Sequence, residues 1–138
     1  MNYRPRHFIV QELVPPDVYE ARGEAAWELL DPRLLASLDR LRAFFGPVTV
    51  NNWHWGGAYR ESGLRSTQTA VGARFSQHKF GRAADCKFRD VTPQEAFERI
   101  LAAPDDFPTI TCLEDVAHTP TWLHVDVRNC ERIKVVKP

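Results

Sequence analysis

From Thr121 to Val127 the chain alternates without a break: Leu123, Val125 and Val127 are apolar, while Trp122, His124 and Asp126 fall between them. A period of two is the signature of a strand, with one set of side chains on each face. The apolar face has to be covered, so the chain must build a sheet and pack something against it. The opposite face then carries an imidazole and a carboxylate, which is unusual for a purely structural strand. The plainer alternative is an exposed polar face on an antiparallel sheet.

Earlier segments supply the cover. Asp31-Pro32 is a helix start, with Asp at the N-cap and Pro at the first turn. Leu34, Leu38, Leu41 and Phe45 follow at helical spacing until Gly46-Pro47 stops the run. Upstream, an extended stretch from Phe8 to Val14 leads to Pro15-Pro16-Asp17, which caps a short helix ending near Gly23, with another turn or two over Ala25 to Leu30. Thr92-Pro93-Gln94-Glu95 reads as a capping box opening a second helix, whose apolar face is Ala96, Phe97, Ile100 and Leu101 before Pro104 ends it. Val48 to Val50, Arg82 to Phe88, Thr109 to Leu113, Thr121 to Val127 and Arg132 to Val136 read as strands. Helices first and a mainly antiparallel sheet afterwards predict a single α+β domain. Residues 1–47 form a helical N-terminal scaffold and residues 48–138 the core around a site.

At 138 residues the chain has room for one core. Lys plus Arg equal Asp plus Glu at 18 each, a balance that argues against a polybasic surface and so against nucleic acid as partner. No run approaches the roughly 18 apolar residues of a membrane span. The first ten residues have no apolar stretch suited to a signal peptide, which predicts synthesis in the cytoplasm. Oligomeric state is not legible. Three cysteines, Cys86, Cys112 and Cys130, without C-x-x-C spacing, read as free thiols; Cys86 draws notice only because it follows Asp85.

The densest chemical signal is Ser76-Gln77-His78-Lys79-Phe80-Gly81-Arg82-Ala83-Ala84-Asp85. Histidine offers a neutral nitrogen and aspartate a hard oxygen, both suited to zinc. Gly81 allows a turn between them, and alternation puts Ala83 and Asp85 on one strand face. His124, beside Trp122 and Asp126, is the next piece. Ser62-Gly63-Leu64-Arg65-Ser66 is a turn carrying an arginine, a residue able to clamp a carboxylate or steady developing negative charge. It lies in a long stretch from Trp53 to Gln77 without steady periodicity, a length that in a small domain is more often functional than accidental.

In this order the three pieces resemble the zinc D-Ala-D-Ala carboxypeptidases and L,D-endopeptidases, a family with a hedgehog-like fold. The matching pattern is S-G-x-R-S at Ser62 to Ser66, S-x-H-x-x-G-x-A-x-D at Ser76 to Asp85, and W-x-H-x-D at Trp122 to Asp126. The likeness spans about Val48 to Val127 and is nearest to compact phage and prophage members. The resemblance implies one zinc ion held by His78, Asp85 and His124, with water at an open fourth position. It makes Arg65 the electrophilic partner of the scissile carbonyl, and Ser76, Trp122 and Trp53 residues of the substrate groove. It also implies a peptidoglycan peptide as substrate, hydrolysis of its peptide bonds, and a phage-type protein that reaches the cell wall on release.

Catalytic members of that family carry a carboxylate three residues before the last histidine, where this chain has Thr121, whose hydroxyl is no general base near neutral pH. Three groups compete for the role: Glu114 across a hairpin, Asp126 on the same face as His124, and His118 in the connecting loop. Asp126 has a second possible part, orienting a ligand from behind. The remaining alternative is a domain that binds zinc and peptide without efficient hydrolysis. His54 with Trp53 and Trp55 either lines the groove or packs the long loop onto the core. His7, Lys79 and Arg82 read as surface residues.

Overall fold

The computed structural model describes residues 3–138; Met1 and Asn2, the first two residues of the expected scaffold, lie outside them. Among the described residues three α-helices, α1 (Pro16–Arg22), α2 (Pro32–Phe45) and α3 (Pro93–Ala102), accompany five strands. These are β1 (Val48–Thr49), β2 (Ala83–Phe88), β3 (Cys112–Glu114), β4 (Leu123–Asp126) and β5 (Lys134–Val136). The sheet order is β1-β2-β4-β3-β5. Its first three pairings are antiparallel, and only β3 with β5 is parallel. The domain is α+β, as the pattern of elements predicts.

The caps form much as the sequence indicates. Asp31 accepts the Arg33 amide at 2.9 Å and α2 ends at Gly46, whose φ is +79°. At α3, Thr92 accepts the Glu95 amide at 3.1 Å, so one half of the expected box forms. The apolar stripe of α2 is buried at Leu34, Leu38 and Leu41, as are Ala96 and Ile100 of α3. They meet the inward face of the sheet: Ala84, Cys86, Leu113, Leu123, Val125 and Val127. Each fully buried aliphatic side chain contributes about 1.5–3 kcal/mol by leaving water.

Two N-terminal expectations are corrected. Phe8 to Val14 is not extended; a 3-10 turn occupies Val10–Glu12, because the Glu12 carboxylate accepts the Ile9 amide at 2.8 Å. Val10, Leu13 and Val14, three and four residues apart, thereby all enter the core. The turn expected over Ala25 to Leu30 is a longer 3-10 helix, Gly23–Leu29. The strands are also shorter than their sequence patterns: β4 keeps only Leu123–Asp126 of Thr121 to Val127, and β3 starts late because Thr109 and Ile110 still belong to the turn after Phe107. Among the described residues no helix is long and apolar enough to cross a membrane.

Candidate metal centre

Register builds the site. Asp85 on β2 pairs with His124 on β4, and Leu113 on β3 pairs with Val125. One further step of that antiparallel register brings Glu114 abreast of His124 on its other side. Asp85, His124 and Glu114 therefore form one row across three strands, on the face turned away from α2 and α3. His78 arrives from outside the sheet, on a 3-10 turn, Gln77–Phe80. Gly81 ends this turn at φ +68°, and a Cβ there would collide with the Leu29 carbonyl oxygen, so the turn requires glycine.

The three donor atoms converge. His78 Nε2 lies 3.2 Å from His124 Nδ1 and 3.3 Å from Asp85 Oδ1, and the last two are 3.1 Å apart. Zinc bonds of about 2.0–2.1 Å in tetrahedral geometry place neighbouring donor atoms about 3.3 Å from one another. The triangle already has that size. Two imidazole nitrogens and a carboxylate oxygen are also a donor set that suits zinc, leaving one position open.

Partners behind the rings aim the free nitrogens. His78 Nδ1–H donates to the Gly63 carbonyl at 2.8 Å, which leaves Nε2 to face the centre. Gly63 can sit there because it has no Cβ to meet the Leu13 carbonyl, which accepts the Leu64 amide at 2.8 Å. His124 Nε2–H donates to Asp126 Oδ2 at 2.8 Å, leaving Nδ1 for the centre. Asp126 is held in turn by Arg128, through Nε to Oδ1 at 2.8 Å and Nη2 to Oδ2 at 2.6 Å. On the far side, Arg65 Nη2 reaches Asp85 Oδ2 at 3.3 Å, while its Nε donates to the Glu61 carbonyl. Carboxylate–histidine and carbonyl–histidine pairs of this kind fix the tautomer and raise the basicity of a metal ligand.

Electrostatics follow from the same contacts. Burial would push the Asp85 carboxyl up, but hydrogen bonds and charge from His124 and His78 hold it well below the usual carboxylate range. Burial would lower His124, yet Asp126, Asp85 and the Glu114 charge raise it to about 9. Asp126 falls to about 2 because the bonds from His124 and Arg128 outweigh its burial. Burial lifts both Cys86 and Cys112 to about 12. All three cysteines are free, and Cys86 points into the core on the strand face opposite Asp85.

The triangle opens into a cleft of about 450 Å³ whose walls include Arg65, Ser76, Glu114, Trp122 and Arg128. Glu114 Oε1 lies 3.6 Å from His124 Nδ1. Asp126 is fully buried, and both its oxygens are engaged behind the His124 ring, so it is a brace and does not face the cleft. Trp53 stands apart as well: its indole N–H donates to the Val14 carbonyl at 2.9 Å and its ring packs near Tyr19. His118 is exposed at the end of its own 3-10 turn, and Thr121 lines a smaller neighbouring cleft with Ser62 and Lys87.

Two residues of the centre escaped the sequence reading. Arg128 follows Asp126 by two, the spacing that already linked Trp122, His124 and Asp126. Lys87 follows Asp85 by two, and its ammonium ties the Val50 and Asp85 carbonyls to Ser62 Oγ at 2.6–3.2 Å. Burial lowers that ammonium to about 8. The strand period was the signal available for both. Comparison with known proteins gives no match to a family model, a curated protein or a solved structure.

Proposed function

We propose that the chain is a zinc-dependent peptidase of the D-Ala-D-Ala carboxypeptidase or L,D-endopeptidase type, acting on the stem peptides of bacterial peptidoglycan. The observation that carries this reading is the donor triangle, with tetrahedral edges and both imidazole tautomers fixed from behind. When bound in such a setting, zinc makes water a nucleophile near neutral pH and polarises a carbonyl oxygen. Glu114, in the row beside His124, is the group positioned to take the proton from the attacking water and pass it to the leaving amine. It replaces the carboxylate that Thr121 does not supply. Asp126, engaged on both oxygens, keeps the His124 ring in place. Arg65 steadies Asp85 and, as part of the cleft wall, supplies positive charge for the oxygen on which negative charge develops. Ser76 and Trp122 form walls for the peptide. The same reading makes the chain a phage-type protein that meets the wall after release, with neither nucleic acid nor membrane as partner.

The test is digestion of purified muropeptides by zinc-loaded protein, followed by mass spectrometry. Cleavage of a stem-peptide bond is expected, reduced about 10²–10⁴-fold in Glu114→Gln while zinc stays bound. Zinc binding by the unaltered protein without any cleavage would instead establish a non-catalytic zinc-stabilised binding domain, the reading that the hydroxyl of Thr121 favours.

A further inference from the structure

Two buried side-chain atoms among the described residues have no hydrogen-bond partner in the chain: Gln77 Oε1 and Thr119 Oγ1. Both residues line the cleft that holds His78, Asp85 and His124. Buried polar groups are nearly always paired, because removing one from water without a partner costs stability. Two orphans in one cleft, with no other among the described residues, point to a partner that comes from outside.

Neither residue is loosely held. Thr119 is 3% exposed, and the main chain on either side of it is bonded: its amide donates to the Val116 carbonyl and its carbonyl accepts the Trp122 amide. Gln77 immediately precedes His78, and its main-chain carbonyl accepts the Arg82 amide at 3.1 Å. The chemistry of the pair is specific. Gln77 Oε1 only accepts, whereas a threonine hydroxyl both donates and accepts. A peptide group offers an N–H for the first and a carbonyl for the second. An anion would leave Gln77 Oε1 without a donor.

We propose that Gln77 and Thr119 form a substrate subsite beside the metal centre, binding one amide N–H and one carbonyl of an extended peptide backbone. The proposal rests on the reading of the cleft as a peptide-hydrolysing site. It gives two residues outside the donor triangle a share in positioning the substrate.

The experiment measures binding of a purified muropeptide to zinc-loaded protein in a Glu114→Gln background, by calorimetry, with and without Thr119→Val and Gln77→Met. Each substitution is expected to weaken peptide binding about ten-fold, corresponding to about 1.4 kcal/mol, the range of one hydrogen bond. Zinc affinity is expected to stay constant. The melting temperature of the peptide-free protein is expected to hold or rise in Thr119→Val, because an unpaired buried hydroxyl is replaced by a methyl group. A fall in melting temperature in Thr119→Val would overturn the proposal by showing that the hydroxyl has a partner within the fold. Unchanged peptide affinity in both variants would overturn the subsite alone. Absence of peptide binding by the Glu114→Gln protein with Gln77 and Thr119 intact would remove the peptide reading and the subsite together.

Discussion

His124 shows how one side chain can be set by both of its nitrogens. Nε2 is committed to Asp126, so only Nδ1 can exchange a proton for a metal ion. In the metal-free protein the imidazole is raised to about 9 and lies as a cation between Asp85 and Asp126. A raised pKa contributes stability that is fully present below the unfolded value of 6.5 and lost as pH climbs through about 9. Zinc and that proton compete, so zinc affinity is expected to rise about ten-fold per pH unit between pH 7 and 9, read by chelator competition. The Asp126 contribution runs the other way: it is present above 3.8 and lost as pH falls through about 2. Asp126→Asn is expected to weaken zinc binding about 10–100-fold by removing the carboxylate behind the ring; affinity equal to that of the unaltered protein would show that this contact is idle. The three donors were legible through the short motifs in which they lie and the family resemblance that those motifs carry. The direction of Asp126 was not, since alternation tells which face a side chain occupies but not whether a neighbour such as Arg128 draws it inward.

At the scale of elements, the site depends on a strand register and one turn. The row of Asp85, His124 and Glu114 exists because β4 lies between β2 and β3. Sequence alternation named the faces of these strands, but which strands are neighbours is a long-range property, and that is why Glu114 remained one of three candidates. Short strands and 3-10 turns were hard to read for a related reason. Val10, Leu13 and Val14 are buried by a local Glu12 cap, which periodicity alone does not reveal. Gly81 is the most exacting position of the connecting turn. Gly81→Ala is expected to destabilise the protein by more than about 1 kcal/mol, through positive φ and collision with Leu29, and to weaken zinc binding by moving His78. A urea midpoint matching that of the unaltered protein would contradict this account of the turn.

Over the whole molecule there is a division of labour. One sheet face is buried against α2 and α3 and supplies the core; the other keeps its charged row under a cover of loops. The helices and strands themselves were legible from the change in period, including α3 set between β2 and β3, whereas the parallel seating of β5 beside β3 was not, because nothing local distinguishes it. A ligand that binds only the folded state stabilises it, by about 2.7 kcal/mol at one hundred times its dissociation constant. Zinc is therefore expected to raise the melting temperature by several degrees, and the His78→Ala protein to show no such rise. The most direct measurement is anomalous diffraction at the zinc absorption edge from crystals grown with one equivalent of zinc. The account predicts a single peak about 2.0–2.1 Å from each of His78 Nε2, Asp85 Oδ1 and His124 Nδ1. A peak at the cysteines, or none within the triangle, would contradict it.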